Sequence, residues 1–153
     1  MSVYNVTENV HLEIPDNIQT KDNVVLYDEY TAKKYLLLSD DSYMCIVSDS
    51  KNMDDDNSIE TLINRIHGVF QKMVPEYEFI DAGIKTIDRH DTGILFYTFV
   101  RKNSQEEKTT FMTVHWFYPD EKEIVQIITV CPLNDYTEME ERYLEIFDTI
   151  SIK

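Results

Sequence analysis

Two stretches of the chain are apolar at nearly every position, and they constrain the fold more than any other feature. They read ILFYTFV at 94–100 and IVQIITV at 124–130. A strand with one face in water alternates apolar and polar residues, whereas a strand that is buried on both faces does not. We therefore expect these two strands to lie inside a sheet whose faces are both covered.

Shorter apolar runs supply the rest of this sheet. Val10, Leu12 and Ile14 alternate with polar residues, as in a half-buried strand. Gly83 interrupts its strand, where we expect a bulge. The connections at 88–93, 102–108 and 119–122 are too short for a parallel crossover, so neighbouring strands should be antiparallel. The remaining strands are predicted at 24–27, 34–38, 43–47, 77–87 and 109–118.

Two amphipathic helices are available to cover the sheet. Over 58–74, apolar residues recur at spacings of three and four, and Pro75 ends the pattern. A second apolar stripe runs over 135–150, and Asp135 and Glu138 have the spacing of a capping box. We predict one α+β domain over 1–153. Its central antiparallel meander sheet of about six to seven strands would be covered by both helices, as an α/β/α sandwich.

The charge balance excludes several classes of partner. The chain has 14 basic and 29 acidic residues, a formal net charge of −15. Nucleic acids and anionic membranes both require a basic face. No apolar run approaches the roughly 18 residues of a membrane helix, and the N-terminus lacks the pattern of a signal peptide. We expect a soluble, cytoplasmic protein whose protein partner is basic or docks on an apolar patch, with no nucleic acid and no membrane bound.

The reactive side chains predict neither catalysis nor a cofactor. The four histidines lack the spacing of a zinc site, and Cys45 and Cys131 lie in apolar runs, where buried free thiols are expected. The segment 54–60 begins like a calcium loop, but Ile59 and Arg65 replace the glycine and the bidentate glutamate that such a loop requires. We therefore expect no metal and no cofactor, and we do not expect an enzyme.

Two groups of residues are candidates for partner contact. Asp54, Asp55 and Asp56 form an acidic loop, which a solvated lead-in to the following helix would explain equally well. Trp116 and Tyr118 belong to an aromatic run of the type that is enriched at interfaces. The alternative for these aromatic residues is that they face a helix inside the protein.

Three sequence features together resemble the PsbP-like fold. They are an early strand that ends in proline at 11–15, an amphipathic helix at 58–74 before the meander, and a terminal helix that runs into an apolar tail at 141–152. This group includes the photosystem oxygen-evolving subunit, the Mog-type Ran-binding proteins and bacterial domains of unknown function. The Gly-Trp pair usual after the proline in bacterial members is replaced here by residues 16–18, Asp-Asn-Ile.

The resemblance implies a non-catalytic binding, adaptor or assembly protein, since members act as adaptors, assembly factors or chaperones. Two alternatives stay open. One is a small-ligand carrier or enzyme with a pocket between helix and sheet, as in cone-shaped α+β barrels; a cavity of about 300 Å³ with convergent polar groups would favour it. The other is an acidic immunity or inhibitor protein that binds a basic partner.

Overall fold

The computed structural model describes residues 2–6, 8–15, 19–27, 30–37, 42–50, 59–74, 76–103, 106–119 and 123–152. Within these ranges, ten strands form two antiparallel sheets, which are accompanied by two α-helices. The helices are α1 (Ile59–Met73) and α2 (Tyr136–Phe147). The strands are β1 (Ser2–Asn5), β2 (Val10–Ile14), β3 (Gln19–Tyr27), β4 (Tyr30–Leu37), β5 (Tyr43–Ser50), β6 (Glu78–Ile87), β7 (His90–Asn103), β8 (Glu106–Phe117), β9 (Glu123–Pro132) and β10 (Ser151–Ile152).

The α+β class is confirmed, but the prediction of a single meander is wrong. The larger sheet has the strand order β3-β4-β5-β9-β8-β7-β6, so it consists of two runs of antiparallel neighbours joined where β5 pairs with β9. The chain leaves β5, passes through α1 and enters the sheet again at its far edge, in β6. From that edge, β7, β8 and β9 are added side by side toward the middle of the sheet. The last of them, β9, therefore lies next to β5.

A second sheet of three strands, in the order β1-β2-β10, was not predicted. The strand at Val10–Ile14 belongs to this sheet and lies between its two neighbours. β10 has only two residues, and three residues separate it from the end of α2. A pair of residues carries no periodicity that could distinguish a strand from a helix terminus.

Both faces of the larger sheet are covered at its central strands, as predicted. Along β8, Met112, Val114 and Trp116 belong to a buried cluster that includes α1, while Phe111 and Phe117 belong to a second cluster with α2 and the small sheet. Side chains of successive strand residues point to opposite faces. The two helices therefore lie on opposite faces of the sheet.

Two local predictions at strand and helix ends are wrong. The bulge in β6 falls between Phe79 and Asp81, while Gly83 pairs in register with Ile94. Asp135 precedes α2 without forming a side-chain cap, because it already has a helical conformation at the end of the 3-10 turn Leu133–Asp135.

The β6–β7 connection is tighter than predicted. It consists only of Asp88 and Arg89, both with positive φ, and residues 90–93 already belong to β7. Two central residues with positive φ define a type I′ turn. The predicted connection at 119–122 lies largely outside the described residues, as does the predicted first residue of α1, Ser58.

Candidate functional site

The residues predicted to contact a partner lie in different settings. Asp54, Asp55 and Asp56 fall outside the described residues. Trp116 is 0% exposed and packs in the cluster beneath α1, and Tyr118 is half-buried against the same cluster. The aromatic run that ends β8 therefore contributes mainly to the core, where Trp116 is not accessible to a partner.

Aromatic rings fill the space between α1 and the sheet. The centroid of Tyr97 lies 5.2 Å from that of Phe70, 5.1 Å from that of Tyr77 and 6.3 Å from that of Phe99. Tyr97 itself is fully buried. Rings at these separations are in packing contact, so they occupy the volume in which a ligand would otherwise sit between α1 and the sheet.

Two clefts are lined by described residues, and both are open to solvent. One, of about 360 Å³, lies on the outer face of α2 between Thr137 and Asp148. The other, of about 270 Å³, lies at the end of α2 beside the β6–β7 turn. The first cleft lies outside the helix–sheet interface. The second lies between the end of α2 and β6, but it is open and smaller than the roughly 300 Å³ expected of a ligand pocket.

Each histidine has a separate structural setting. His11 Nδ1 lies 2.6 Å from Asn5 Oδ1, His67 Nδ1 lies 2.6 Å from the Tyr77 hydroxyl, and His90 Nδ1 lies 2.8 Å from the Asp88 carbonyl oxygen. His115 is buried against the Phe147 ring at a centroid distance of 4.3 Å. Burial lowers the pKa of His115 to about 3. In the described ranges, no three histidine, cysteine or acidic side chains are grouped so that they could hold a metal ion.

Both cysteines are free and buried, as predicted. Burial raises the pKa of Cys45 to about 12 and that of Cys131 to about 11. Cys45 belongs to the α1 cluster and Cys131 to the α2 cluster, so the sheet separates them. A nucleophilic cysteine has to form a thiolate near neutral pH, and these environments favour the neutral thiol.

Strand β6 forms one edge of the larger sheet, and this edge exposes several apolar side chains. β6 pairs with β7 on one side and ends the strand order of its sheet. Phe79 is 50% exposed, Ile80 49% and Ile84 55%. We call residues 79–86 the β6 edge. An exposed strand edge offers unpaired backbone groups to another strand, and here apolar side chains accompany them.

Two observations identify the backbone groups that point away from β7. Ile87 and His90 flank the two-residue turn, so they form a hydrogen-bonded pair, and such pairs alternate along the ladder. The N–H of Ala82 donates to its neighbour Asp81 Oδ1 at 2.9 Å instead of to β7. Both observations give the same alternation, in which Ala82, Ile84 and Thr86 direct their N–H and C=O groups outward.

Charged and aromatic side chains lie along the β6 edge and next to it. Phe79 lies beside α1, with its ring centroid 5.0 Å from that of His67. Glu78, Asp81 and Lys85 are all exposed along the strand. Sequence reasoning missed this site because it treated 77–87 as one more strand of the meander. The composition of this segment does indicate an edge strand, because β6 contains three charged residues and a glycine where the central strands are apolar.

Comparisons with solved structures agree with this architecture. The chain is similar to cyanobacterial PsbP (CyanoP) from Synechocystis, with 12% identity, 99% of this chain and 92% of that chain covered, and a TM-score of 0.67. It is also similar to LpqN, involved in cell envelope biogenesis of Mycobacterium tuberculosis, with 11% identity, coverage of 94% and 83%, and a TM-score of 0.65. A third similar structure is PA94 from Pseudomonas aeruginosa, a protein of unknown function and candidate regulator, with 16% identity, coverage of 97% and 94%, and a TM-score of 0.62.

These likenesses show the class of protein that the fold defines: the chain has the PsbP-like fold that its sequence resembles. At such low identities they show the fold alone. No protein-family model and no curated protein matches the sequence. In the described part of the chain, no helix is both long and apolar enough to cross a membrane.

Proposed function

We propose that the chain is a non-catalytic binding or assembly protein that meets a protein partner along the β6 edge. The observation that carries the proposal is the coincidence of exposed apolar side chains with outward backbone groups on one strand. Strand addition to a sheet edge uses both, because backbone hydrogen bonds supply affinity while side-chain contacts supply specificity.

Two further observations support a binding role over a catalytic one. The described histidines are held in separate structural contacts, and the described cysteines are buried with raised pKa values. The volume beneath α1 is filled by aromatic rings. The protein would therefore act through its surface, as a single domain of residues 1–153, which we place in the cytoplasm.

Site-specific photo-crosslinking tests the proposed surface. A photoreactive amino acid at position 84 should give a covalent protein adduct in cells that express the chain naturally. The same amino acid at position 144 is the matched control, because Leu144 is an exposed apolar residue on α2, 39% exposed. Phe79→Asp should reduce the adduct formed from position 84. Adducts that form equally from both positions, or only from position 144, would contradict the proposal.

The acidic loop is a second proposed contact. With a net charge of −15, the chain should attract a basic partner, and Asp54, Asp55 and Asp56 would concentrate that charge. Reversal of all three residues to lysine should slow association and flatten its dependence on salt together, because steering charges are screened as ionic strength rises. Association rates that are unchanged by the reversal at low and at physiological salt would remove the loop from the contact surface.

A further inference from the structure

The β6 edge is complementary to itself in one particular register. New backbone hydrogen bonds at this edge have to use Ala82, Ile84 and Thr86, since these residues direct their groups outward. Within one chain the Ala82 N–H donates to Asp81 Oδ1, so on pairing it has to exchange this acceptor for a carbonyl oxygen of the other copy, which frees the Asp81 carboxylate. Two antiparallel copies of β6 can therefore pair only in registers that place outward residues opposite one another. One such register pairs Ala82 of each copy with Ile84 of the other and sets Gly83 opposite Gly83.

The same register brings opposite charges together twice. Asp81 and Lys85 lie symmetrically about Gly83, and both point to the α2 face of the sheet. Asp81 of each copy then lies directly opposite Lys85 of the other, in the non-hydrogen-bonded pairs where Cα atoms are only about 4.5 Å apart. A shift by two residues in either direction loses both charge pairs. Opposite charges directly across an antiparallel pair are stabilising, and like charges are destabilising.

The other face of the new ladder is apolar. Ala82 and Ile84 point to the α1 face, so each copy places Ile84, which is 55% exposed, against Ala82 of the other. Gly83 has open space around it, with nothing within 4 Å of the position of an added Cβ. It therefore allows the two strands to approach closely at the symmetry axis. The bulge next to Phe79 limits the ladder to about residues 80–86.

From this complementarity we infer that the occupant of the β6 edge is a second copy of the same chain, paired antiparallel about Gly83. The inference rests on the proposed function, because it takes the same docking surface and names its partner. Pairing would join two seven-stranded sheets into one continuous sheet with both α1 helices on the same face. A two-fold interface of this kind is isologous and closes at the dimer.

The net charge of each copy sets the conditions in which the dimer forms. Two chains with a net charge of −15 repel each other at long range. At 0.15 M salt the Debye length is only about 8 Å, so salt screens this repulsion more than it screens the attraction between charges in contact. One edge strand from each copy is also a small interface. We expect a concentration-dependent monomer–dimer equilibrium at 0.15 M salt and mostly monomer at 0.01 M.

Charge reversal with mixing tests the inference. By sedimentation equilibrium at 0.15 M salt, Asp81→Lys alone and Lys85→Glu alone should each weaken the dimer about tenfold or more, since each creates two like-charge pairs. An equimolar mixture of the two variants should form a heterodimer at least as readily as the unmodified chain forms its dimer, because every pair across the interface is then opposite in charge. Both positions are exposed, and matching thermal melts would show that the variants are folded.

Three results would overturn the inference: a chain that remains monomeric at 0.15 M salt, a dimer that neither reversal weakens, or variants whose mixture does not associate. A matched backbone test is Ile84→Pro, which removes an outward N–H without breaking the ladder to β7 and should also abolish the dimer. If the chain is monomeric but position 84 crosslinks to a different protein, the second-copy inference fails and the proposed function stands. If position 84 crosslinks neither to a second copy nor to a different protein, the proposed function fails as well.

Discussion

The indole ring of Trp116 lies against Gly93, the residue directly opposite it across the β7–β8 ladder. A Cβ atom on Gly93 would lie 2.9 Å from Trp116 Cε2 and 2.9 Å from Ile59 Cγ2. The space of the missing side chain is therefore taken by the indole on one side and by the first residue of α1 on the other. This contact explains how a fully buried tryptophan fits between the helix and the sheet.

Gly93→Ala should lower the free energy of unfolding by about 1–3 kcal/mol, because an added methyl group in a closely packed core displaces its neighbours. Equilibrium denaturation in urea measures this loss. The matched control is Gly83→Ala in the neighbouring strand, where the new Cβ meets nothing within 4 Å. At a concentration where the chain is monomeric, the control should be neutral or up to about 1 kcal/mol more stable. Equal effects at both glycines would show that the indole contact is not formed.

Trp116 is the single tryptophan of the chain and is 0% exposed. Its fluorescence should therefore be blue-shifted in the native protein and should be quenched by acrylamide at least severalfold less than in guanidinium chloride. Acrylamide is preferable to iodide, since the net charge of −15 itself repels an anion. Native quenching equal to that of the unfolded chain would restore Trp116 as a surface contact residue.

His115 should make stability depend on pH below its ordinary pKa of 6.5. Burial lowers its folded pKa to about 3, so between these two values the unfolded chain binds a proton that the folded chain does not. The contribution of His115 to stability is complete well above pH 6.5 and decreases as the pH falls toward 3. Between pH 7 and pH 5.5, where carboxylates change little, the loss should be about 1 kcal/mol.

His115→Phe should remove most of this dependence, because a phenyl ring can pack on Phe147 without accepting a proton. His90→Gln is the control, since it removes an imidazole at the β6–β7 turn and should retain the pH dependence of the unmodified chain. Urea unfolding at several pH values measures the difference. The same slope in the unmodified chain and in His115→Phe would show that His115 is not the responsible group.

The turn between β6 and β7 offers a stabilising substitution. Arg89 has a φ of 69°, in the left-handed region that residues with a Cβ disfavour, so Arg89→Gly should raise the free energy of unfolding by about 0.5–1 kcal/mol. Asp88 also has positive φ, but its Oδ2 accepts the Ile152 N–H at 2.6 Å. Asp88→Gly should therefore give no gain and should cost about 1 kcal/mol through the lost hydrogen bond. Thermal melts of the two variants should shift in opposite directions, and a gain for both would exclude a stabilising contact between Asp88 and β10.

The strands and the helices could be predicted from the chain because their residues repeat with the period of the structure. The apolar stretches at 94–100 and 124–130 lie in β7 and β9, inside the sheet and covered on both faces. The stripe over 58–74 corresponds to α1. Periodicity could not predict the pairing of β5 with β9 or the two residues of β10, since both depend on which distant segments meet.

The candidate site could be predicted from the sequence less completely than the strands and helices. Trp116 and Phe79 are both aromatic residues in strands, yet Trp116 is buried and Phe79 is half exposed. The sequence by itself determined that the chain forms an acidic α+β protein with a densely apolar core and buried thiols, because charge follows from composition and the spacing of apolar residues indicates helices, strands and the segments that pack inside. Only the tertiary structure decided that β6 is an edge and that Asp81, Gly83 and Lys85 lie along it in the open. Strand order arises from long-range pairing, which a local pattern does not contain.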